Sequence, residues 1–227
     1  MKKRLAVVLL AGSLVGAACT KSDGSGNPSP AELSAALLTV TDMPTGWSES
    51  QRQVFDERGN ENPSIDPSVW CSAAADESKD LVALAGESGA DVEMQWSGGK
   101  GPRMMRLQAW SNADAEEYLA AVRASAGACD GVSATDADGV TVETSVIVGR
   151  SIGDESVSWS ERTTPPAATQ KDKLEAVGRT TVARFGNVVM VLQLGDAAPA
   201  GTGTLMPEDD WWTVVQLAAN KLKKASD

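Results

Sequence analysis

The stretch Arg184-Phe-Gly-Asn-Val-Val-Met-Val-Leu-Gln-Leu194 decides the fold, because a two-residue turn directly precedes an almost continuous apolar run. Gly186-Asn187 between two strand-like segments, 174–185 and 188–194, is a strong signal for a β-hairpin. The second segment is apolar at almost every position, which is typical of a strand buried on both faces. We therefore predict a hairpin whose second strand lies in the centre of a sheet.

Regular patterns continue on both sides of this hairpin. Alternating apolar and polar residues predict further strands at 91–97, 103–110, 140–148 and 155–162. Apolar residues at helical spacing predict helices at 30–38, after Ser111, and from Pro207 onward, with a short one at 68–75. Residues 48–66 and 197–207 are predicted as loops.

The predicted elements form one α+β domain. Ser29 precedes Pro30 and is expected to cap the first helix, and Ser111 is expected to cap the helix that follows it. The order of the elements predicts a single antiparallel sheet of about five to six strands, with the helices packed on one face.

The N-terminus has the pattern of an export signal. Basic residues precede an apolar run from Leu5 to Val15, and small residues follow up to Cys19. The run is too short for a bilayer core, which takes about 20 apolar residues. Cys19 resembles the lipid-accepting cysteine of a bacterial lipobox, although Gly16 stands where Leu or Val is usual. We expect residues 1–18 to be a removed signal peptide and Cys19 to be lipidated; plain secretion is the alternative.

The remaining chain divides into a tether and a body. Residues 19–30 are rich in Gly, Ser and Pro, as flexible linkers are. Residues 31–227 are numerous enough for one domain with its own core. We expect this body on the outer face of the cytoplasmic membrane, bound to the membrane through the lipid anchor.

The chain is acidic. It has 20 basic and 31 acidic residues and a net charge of −11. The charged residues within 1–18 are Lys2, Lys3 and Arg4, so removal of this segment would make the net charge more negative. A surface with this charge repels nucleic acid and anionic lipid headgroups. We therefore expect no nucleic-acid partner.

Two cysteines, Cys71 and Cys129, lie in the body. An exported protein permits a disulfide between them, with two buried free thiols as the alternative. Histidine is absent, and neither residue has a second cysteine close to it in sequence. The sequence therefore predicts no metal site.

The residue types also argue against an enzyme. Without histidine, Ser-His and Cys-His catalysis cannot occur. The acidic pairs Asp154/Glu155 and Asp209/Asp210 fall in a turn and at a helix start, which are ordinary positions for acids. Acid–base catalysis needs two carboxylates in one cleft with separated pKa values. We expect a protein that is not an enzyme and has no cofactor.

Tryptophan is the unusual residue type, with seven Trp against two Phe and one Tyr. Trp211 and Trp212 are neighbours in the last predicted helix, so their side chains point about 100° apart. Trp211 shares an apolar stripe with Val214, Val215, Ala218 and Leu222, which predicts a core position. Trp212 is expected to be exposed at the edge of a cleft, where an indole can stack on a ligand.

Short motifs are spread over residues 31–225: Leu37-Leu-x4-Met-Pro-x-Gly-Trp47, Trp70-Cys71, Ala128-Cys129, Gly153-Asp-Glu-Ser156, Arg184-Phe-Gly-Asn-Val-Val189, and a C-terminal helix rich in Ala, Leu and Lys. Together they resemble actinobacterial exported lipoproteins and the extracellular sensor domain of mycobacterial PknH-type Ser/Thr kinases. The resemblance implies a single α+β domain with a cleft that binds an envelope ligand. Those sensor domains have two disulfides, whereas this body has cysteines for one.

Three functions are compatible with the sequence. The first is a membrane-anchored extracytoplasmic lipoprotein whose domain binds or senses a small envelope ligand in a pocket lined by Trp and apolar side chains. The second is a non-catalytic interaction or scaffold protein of the envelope, with an exposed apolar patch for a protein partner. The third, a carboxylate-based hydrolase, has the least support.

Overall fold

A computed structural model describes residues 27–55, 71, 81, 88–98, 101–135, 139–148, 150–166, 174–199 and 205–226. Within these residues the helices are α1 (Pro30–Ala36), α2 (Ala115–Ala128) and α3 (Glu208–Ser226), with a 3-10 turn at Val40–Asp42. The strands are β1 (Trp47–Phe55), β2 (Ser88–Trp96), β3 (Arg103–Ser111), β4 (Ser133–Thr135), β5 (Thr141–Ile147), β6 (Glu155–Thr164), β7 (Leu174–Phe185) and β8 (Val188–Pro199).

The described strands form one antiparallel sheet in the order β1-β2-β3-β8-β7-β6-β5-β4. β8 lies in the centre between β3 and β7, as its apolar sequence predicted, and all residues from Val188 to Leu192 are buried. The turn between β7 and β8 falls at Gly186-Asn187, as predicted. Gly186 has a φ of 57°, in the left-handed region that glycine adopts without strain.

The predicted number of five to six strands is wrong, because the sheet of the described residues has eight. β1 lies in the stretch 48–66 that we predicted as a loop. It is an edge strand, and most residues from Ser48 to Gln53 are exposed and polar. β4 is the opposite edge and is exposed at every position. Edge strands without a buried face carry no hydrophobic period for sequence analysis to detect.

The prediction that the helices pack on one face is also wrong. α1 and α3 cover the face that carries Leu107 and Met190, which we call the first face. α2 covers part of the second face, which carries Trp110 and Val191. The physical reason lies in β8, whose alternate apolar residues are buried on opposite faces, so that both faces need a cover.

The two predicted helix caps differ in outcome. Ser29 caps α1 as predicted: its Oγ accepts a hydrogen bond from Glu32 N at 3.3 Å, and the Glu32 carboxylate accepts one from Ser29 N at 2.8 Å. Ser111 does not cap α2, because it is the last residue of β3. The side chain of Asn112 instead accepts a hydrogen bond from Asp114 N at 2.8 Å.

Cys71 and Cys129 form a disulfide, as expected, with their Cα atoms 5.9 Å apart. Cys129 directly follows α2, and Val132 packs against the buried pair. The bridge therefore ties the end of α2 to the chain that precedes β2. Apart from Cys71, the predicted helix at 68–75 lies outside the described residues.

The start of the described chain is held at the end of the sheet where β7 turns into β8. Asn187 Nδ2 donates a hydrogen bond to Asn27 Oδ1 at 3.2 Å. Gly186 N donates to Asp154 Oδ2 at 2.7 Å, which holds the loop 150–154 at the same end. The entry of the chain into the domain and the loop before β6 are therefore neighbours.

The predicted signal peptide, Cys19 and residues 20–26 of the tether lie outside the described residues. Within the part of the chain that the structure describes, no helix combines the length and apolarity that a membrane span needs.

Candidate functional site

A cavity of about 720 Å³ lies between α3 and the loop 150–152 on the first face of the domain. We call it the α3 cavity. It is lined by Arg150, Ser151, Ile152, Asp209, Trp212, Thr213, Gln216, Leu217 and Asn220. Its volume falls within the range of about 300–1,000 Å³ that is usual for small-molecule sites.

α3 supplies one wall of the cavity from a single side of the helix. Its lining residues recur three or four positions apart, so they lie above one another along the helix. Thr213 Oγ1 donates a hydrogen bond to Asp209 O at 2.9 Å, and Gln216 Nε2 donates to Asn220 Oδ1 at 3.1 Å. These contacts orient the polar side chains of the wall before any ligand arrives.

The opposite side of α3 forms the core. The predicted stripe, Trp211, Val214, Val215, Ala218 and Leu222, is buried as expected. Since this stripe faces the sheet and α1, the polar flank of the same helix is left to face the loop 150–152.

The loop 150–152 is fixed by the residues that follow it. Ile152 is buried, and its N–H donates a hydrogen bond to Ser156 Oγ at 3.0 Å. Gly153 has a φ of 65°, and a Cβ at this position would lie 2.3 Å from Arg184 O. Glycine is therefore required here, and the packed turn holds Arg150 and Ser151 opposite α3.

Arg150 lies over the indole of Trp212. The guanidinium carbon is 5.0 Å from the ring centroid, and Nη2 is 2.9 Å from Asp209 Oδ1. The side chains of Arg150 and Asp209 are 45% and 89% exposed. Exposed ion pairs contribute about 0–1 kcal/mol and exposed cation–π contacts about 0.5–1 kcal/mol. The Arg150 side chain therefore covers the Trp212 ring but is held there by weak contacts only.

The expectation that Trp212 is exposed is wrong. Trp212 is 4% exposed and Trp211 is 0% exposed. Trp212 Nε1 donates a hydrogen bond to Glu208 Oε1 at 3.1 Å, and Arg150 covers the ring. Two neighbours on a helix can both be buried when a loop packs beside the helix, and the helical pattern alone does not reveal such a loop. Trp212 does line the cavity, but its contact with a ligand stays a prediction.

Sequence analysis missed the residues that complete the site. Arg150 and Ser151 precede β6 in a short connection, and Gln216 and Asn220 belong to a helix flank that has the composition of a solvated surface. The Gly153-Asp-Glu-Ser156 motif was the available signal, since it is the turn that positions the loop.

Three of the four acids considered for catalysis are engaged in other contacts. Glu155 Oε1 is 2.5 Å from Arg123 Nη1, Asp154 accepts a hydrogen bond from Gly186 N, and Asp209 pairs with Arg150. Within the described residues, no three His, Cys, Asp or Glu side chains form a group that could hold a metal ion. One of the nine residues that line the α3 cavity carries a carboxylate.

A separate carboxyl group lies on the second face. Glu161 stands opposite Gly178 of β7 and accepts a hydrogen bond from Trp159 Nε1. Burial raises the pKa of Glu161, and the hydrogen bond from Trp159 only partly opposes this effect. The Glu161 carboxyl fills the space above a glycine, since a Cβ on Gly178 would lie 3.2 Å from Glu161 Oε2.

Comparison with solved structures gives one informative similarity. The crystal structure of the extracellular domain of PknH from Mycobacterium tuberculosis is similar to this chain with a TM-score of 0.51 and 13% sequence identity, over 87% of this chain and 98% of that chain. At this identity the similarity concerns the fold, and at that level it confirms the resemblance found in the sequence motifs. No family model and no curated protein matches the chain.

Proposed function

We propose that the protein is a membrane-anchored extracytoplasmic lipoprotein whose domain binds a small ligand in the α3 cavity. The observation that carries this proposal is the cavity itself, which combines a volume of about 720 Å³ with an aromatic wall and several polar side chains. Small-molecule sites typically combine these features.

Three observations support the extracytoplasmic location. The N-terminus has a signal pattern that ends at Cys19. The Cys71–Cys129 disulfide is of a kind that persists in oxidising compartments. The solved domain with a similar fold is an extracellular one.

Two of the exposed apolar residues argue against a scaffold in which one apolar docking patch contains them both. Among the described residues, the large exposed apolar side chains are Val40, Val54, Met104 and Val148. Val54 pairs with Ala90 on the first face, whereas Met104 pairs with Gln95 on the second face. Val54 and Met104 therefore belong to opposite faces of the sheet and cannot join one patch.

Native mass spectrometry of the exported protein, purified from its own membrane, tests the proposal. Thr213 is exposed on the cavity wall, so Thr213→Trp fills the cavity and leaves the core intact. Ala124→Trp is the matched control, because Ala124 is exposed on α2, which covers the second face.

We expect a small-molecule adduct on the wild type and on Ala124→Trp, and none on Thr213→Trp. The proposal is wrong if neither the purified protein nor protein incubated with an envelope extract carries an adduct. An adduct that persists on Thr213→Trp would also contradict it, because the ligand would then bind elsewhere.

A further inference from the structure

We propose that the ligand of the α3 cavity is a neutral saccharide whose ring stacks on Trp212 in the place now taken by the Arg150 guanidinium. This inference rests on the proposed function and names the ligand class for the same cavity.

The charges of the cavity wall favour a neutral ligand. Among the nine lining residues, Arg150 and Asp209 carry opposite charges and pair with each other at 2.9 Å. An anionic ligand would approach a chain of net charge −11 with one arginine to receive it. A cationic ligand would compete with Arg150 for Asp209.

The polar side chains of the wall match hydroxyl groups. Ser151, Thr213, Gln216 and Asn220 each contain both a hydrogen-bond donor and an acceptor. A sugar hydroxyl also donates and accepts, so each hydroxyl can bond to any of these side chains. The hydrogen bond between Gln216 and Asn220 orders two amides that are four residues apart, on adjacent turns of the helix, where neighbouring hydroxyls of a ring can reach them.

The apolar part of the wall matches the C–H face of a sugar ring. Ile152, Leu217 and the indole of Trp212 supply apolar surface in the same cavity. A saccharide presents C–H groups on one face, which pack on an aromatic ring, while its hydroxyls point to the rim. A small cavity that combines polar and apolar groups therefore fits a ligand that has C–H groups on one face and hydroxyls at its rim.

Arg150 shows where the ring would lie. Its flat guanidinium is 5.0 Å from the indole centroid, above the face on which a sugar would stack. The arginine is held by an exposed ion pair with Asp209 and by the indole itself, and both contacts are weak. A saccharide can displace it from the ring toward solvent, since 45% of the Arg150 side chain is already exposed.

Saturation-transfer difference NMR on the full-length mature protein tests the ligand class, in a detergent that has no sugar headgroup. The probes are maltose, cellobiose and N,N′-diacetylchitobiose, with a disaccharide that contains glucuronic acid and one that contains glucosamine as charged comparisons. We expect a neutral disaccharide to bind, with the strongest transfer to the C–H protons of one ring face, and Thr213→Trp to abolish the signal.

Removal of Arg150 tests the displacement. Arg150→Ala should tighten binding of the neutral probe about threefold to tenfold, because the sugar no longer displaces the cation–π contact and the ion pair. Arg162→Ala is the matched control, since Arg162 is 54% exposed, pairs with Glu175 and is not among the residues that line the cavity. Unchanged or weaker binding by Arg150→Ala would overturn the displacement.

The outcomes separate this inference from the proposed function. If Thr213→Trp removes the native adduct while only a charged disaccharide binds the wild type, the ligand is not neutral. If no probe binds, the saccharide class is wrong. In both cases the cavity function stands. If no adduct forms at all, the proposed function fails, and the inference fails with it.

Discussion

Lys221 Nζ lies 2.5 Å from Asp42 Oδ2 and thereby joins the second half of α3 to the 3-10 turn that follows α1. The N–H and the hydroxyl of Thr39 also donate hydrogen bonds to Asp42 Oδ2, each at 2.8 Å. Burial opposes ionisation of Asp42, but the hydrogen bonds from Lys221 and Thr39 outweigh it and hold the pKa of Asp42 below its usual value. The contact fastens the helix that forms the cavity wall.

The low pKa of Asp42 predicts a pH dependence of stability. Because the pKa is lower in the folded than in the unfolded state, the ionised carboxylate stabilises the fold fully above the unfolded value of about 4. This stabilisation is lost as the pH falls through the folded pKa. Thermal unfolding followed by circular dichroism between pH 2 and 7 should show that Asp42→Asn lowers Tm at neutral pH. The difference in Tm between the variant and the wild type should disappear in acid. A difference in Tm of constant size at every pH would contradict the claim that ionised Asp42 stabilises the fold.

Both neighbouring tryptophans should be required for stability. Trp211 and Trp212 are 0% and 4% exposed, so replacement of either by Ala should cost about 3–5 kcal/mol in the free energy of unfolding. Phenylalanine variants should distinguish the contributions of the two indole N–H groups. Trp212→Phe loses the hydrogen bond to Glu208, whereas Trp211 Nε1 is buried without a hydrogen-bond partner among the described residues.

Urea denaturation measures this difference. We expect Trp212→Phe to be less stable than Trp211→Phe by about 1 kcal/mol, the usual contribution of one hydrogen bond. Wild-type stability of Trp212→Ala would show that its indole is not buried in solution.

Glu161 should destabilise the fold when it is ionised. Burial raises its pKa, so the charge costs stability above the folded pKa and costs nothing below the unfolded value of about 4. Glu161→Gln keeps an acceptor for Trp159 Nε1 and should raise Tm at pH 7, with an advantage that disappears in acid. Glu143→Gln on β5 is the exposed control and should change little. A lower Tm for Glu161→Gln at pH 7 would refute the prediction.

The disulfide should contribute substantially to stability. Cys71 and Cys129 are 58 residues apart, and in the chain-entropy model a loop of this length is worth about 4 kcal/mol. The double variant Cys71→Ala/Cys129→Ala should unfold at a correspondingly lower urea concentration. Alkylation without reductant, followed by intact mass measurement, should add no label to Cys71 or Cys129 in the wild type. Labelling of both residues would rule out the bridge in the exported protein.

Lipidation of Cys19 predicts a change in the location of the protein. Cys19→Ser should move the protein from the membrane fraction to the soluble fraction of the envelope, because a diacylglyceryl group at Cys19 would be the anchor. Immunoblots of the two fractions measure the effect, with Ser22→Ala in the tether as a control that should stay with the membrane. If Cys19→Ser stays membrane-bound as well, Cys19 is not the anchor.

Those parts of the fold that bury a regular face could be predicted from the sequence. The central position of β8 followed from its apolar run, and the α3 stripe from Trp211 to Leu222 followed from its helical period. β1 could not be predicted because its exposed polar residues form no pattern. The placement of α2 on the second face depends on long-range packing against Trp110 and Trp159, which are distant in sequence from each other.

The candidate site was predictable at one residue only. Trp212 stood out as a large aromatic residue beside the apolar stripe, although the prediction that it is exposed was wrong. Arg150 gave no signal, because a single arginine in a short connection is ordinary. Its importance arises from the distance of 5.0 Å to the Trp212 ring, and that distance joins two segments 62 positions apart in sequence.

With a lipid anchor on Cys19, the hydrogen bond between Asn187 and Asn27 would set how far from a bilayer the domain can work. From Cys19 to Asn27 the chain advances eight residues, which extend to about 28 Å at most. With a lipid on Cys19, the end of the sheet that carries Asn27 stays within this height, and the loop 150–154 beside it does too. This end of the domain is then confined to a thin layer above the headgroups, and a ligand farther from the bilayer must diffuse into that layer before it can bind.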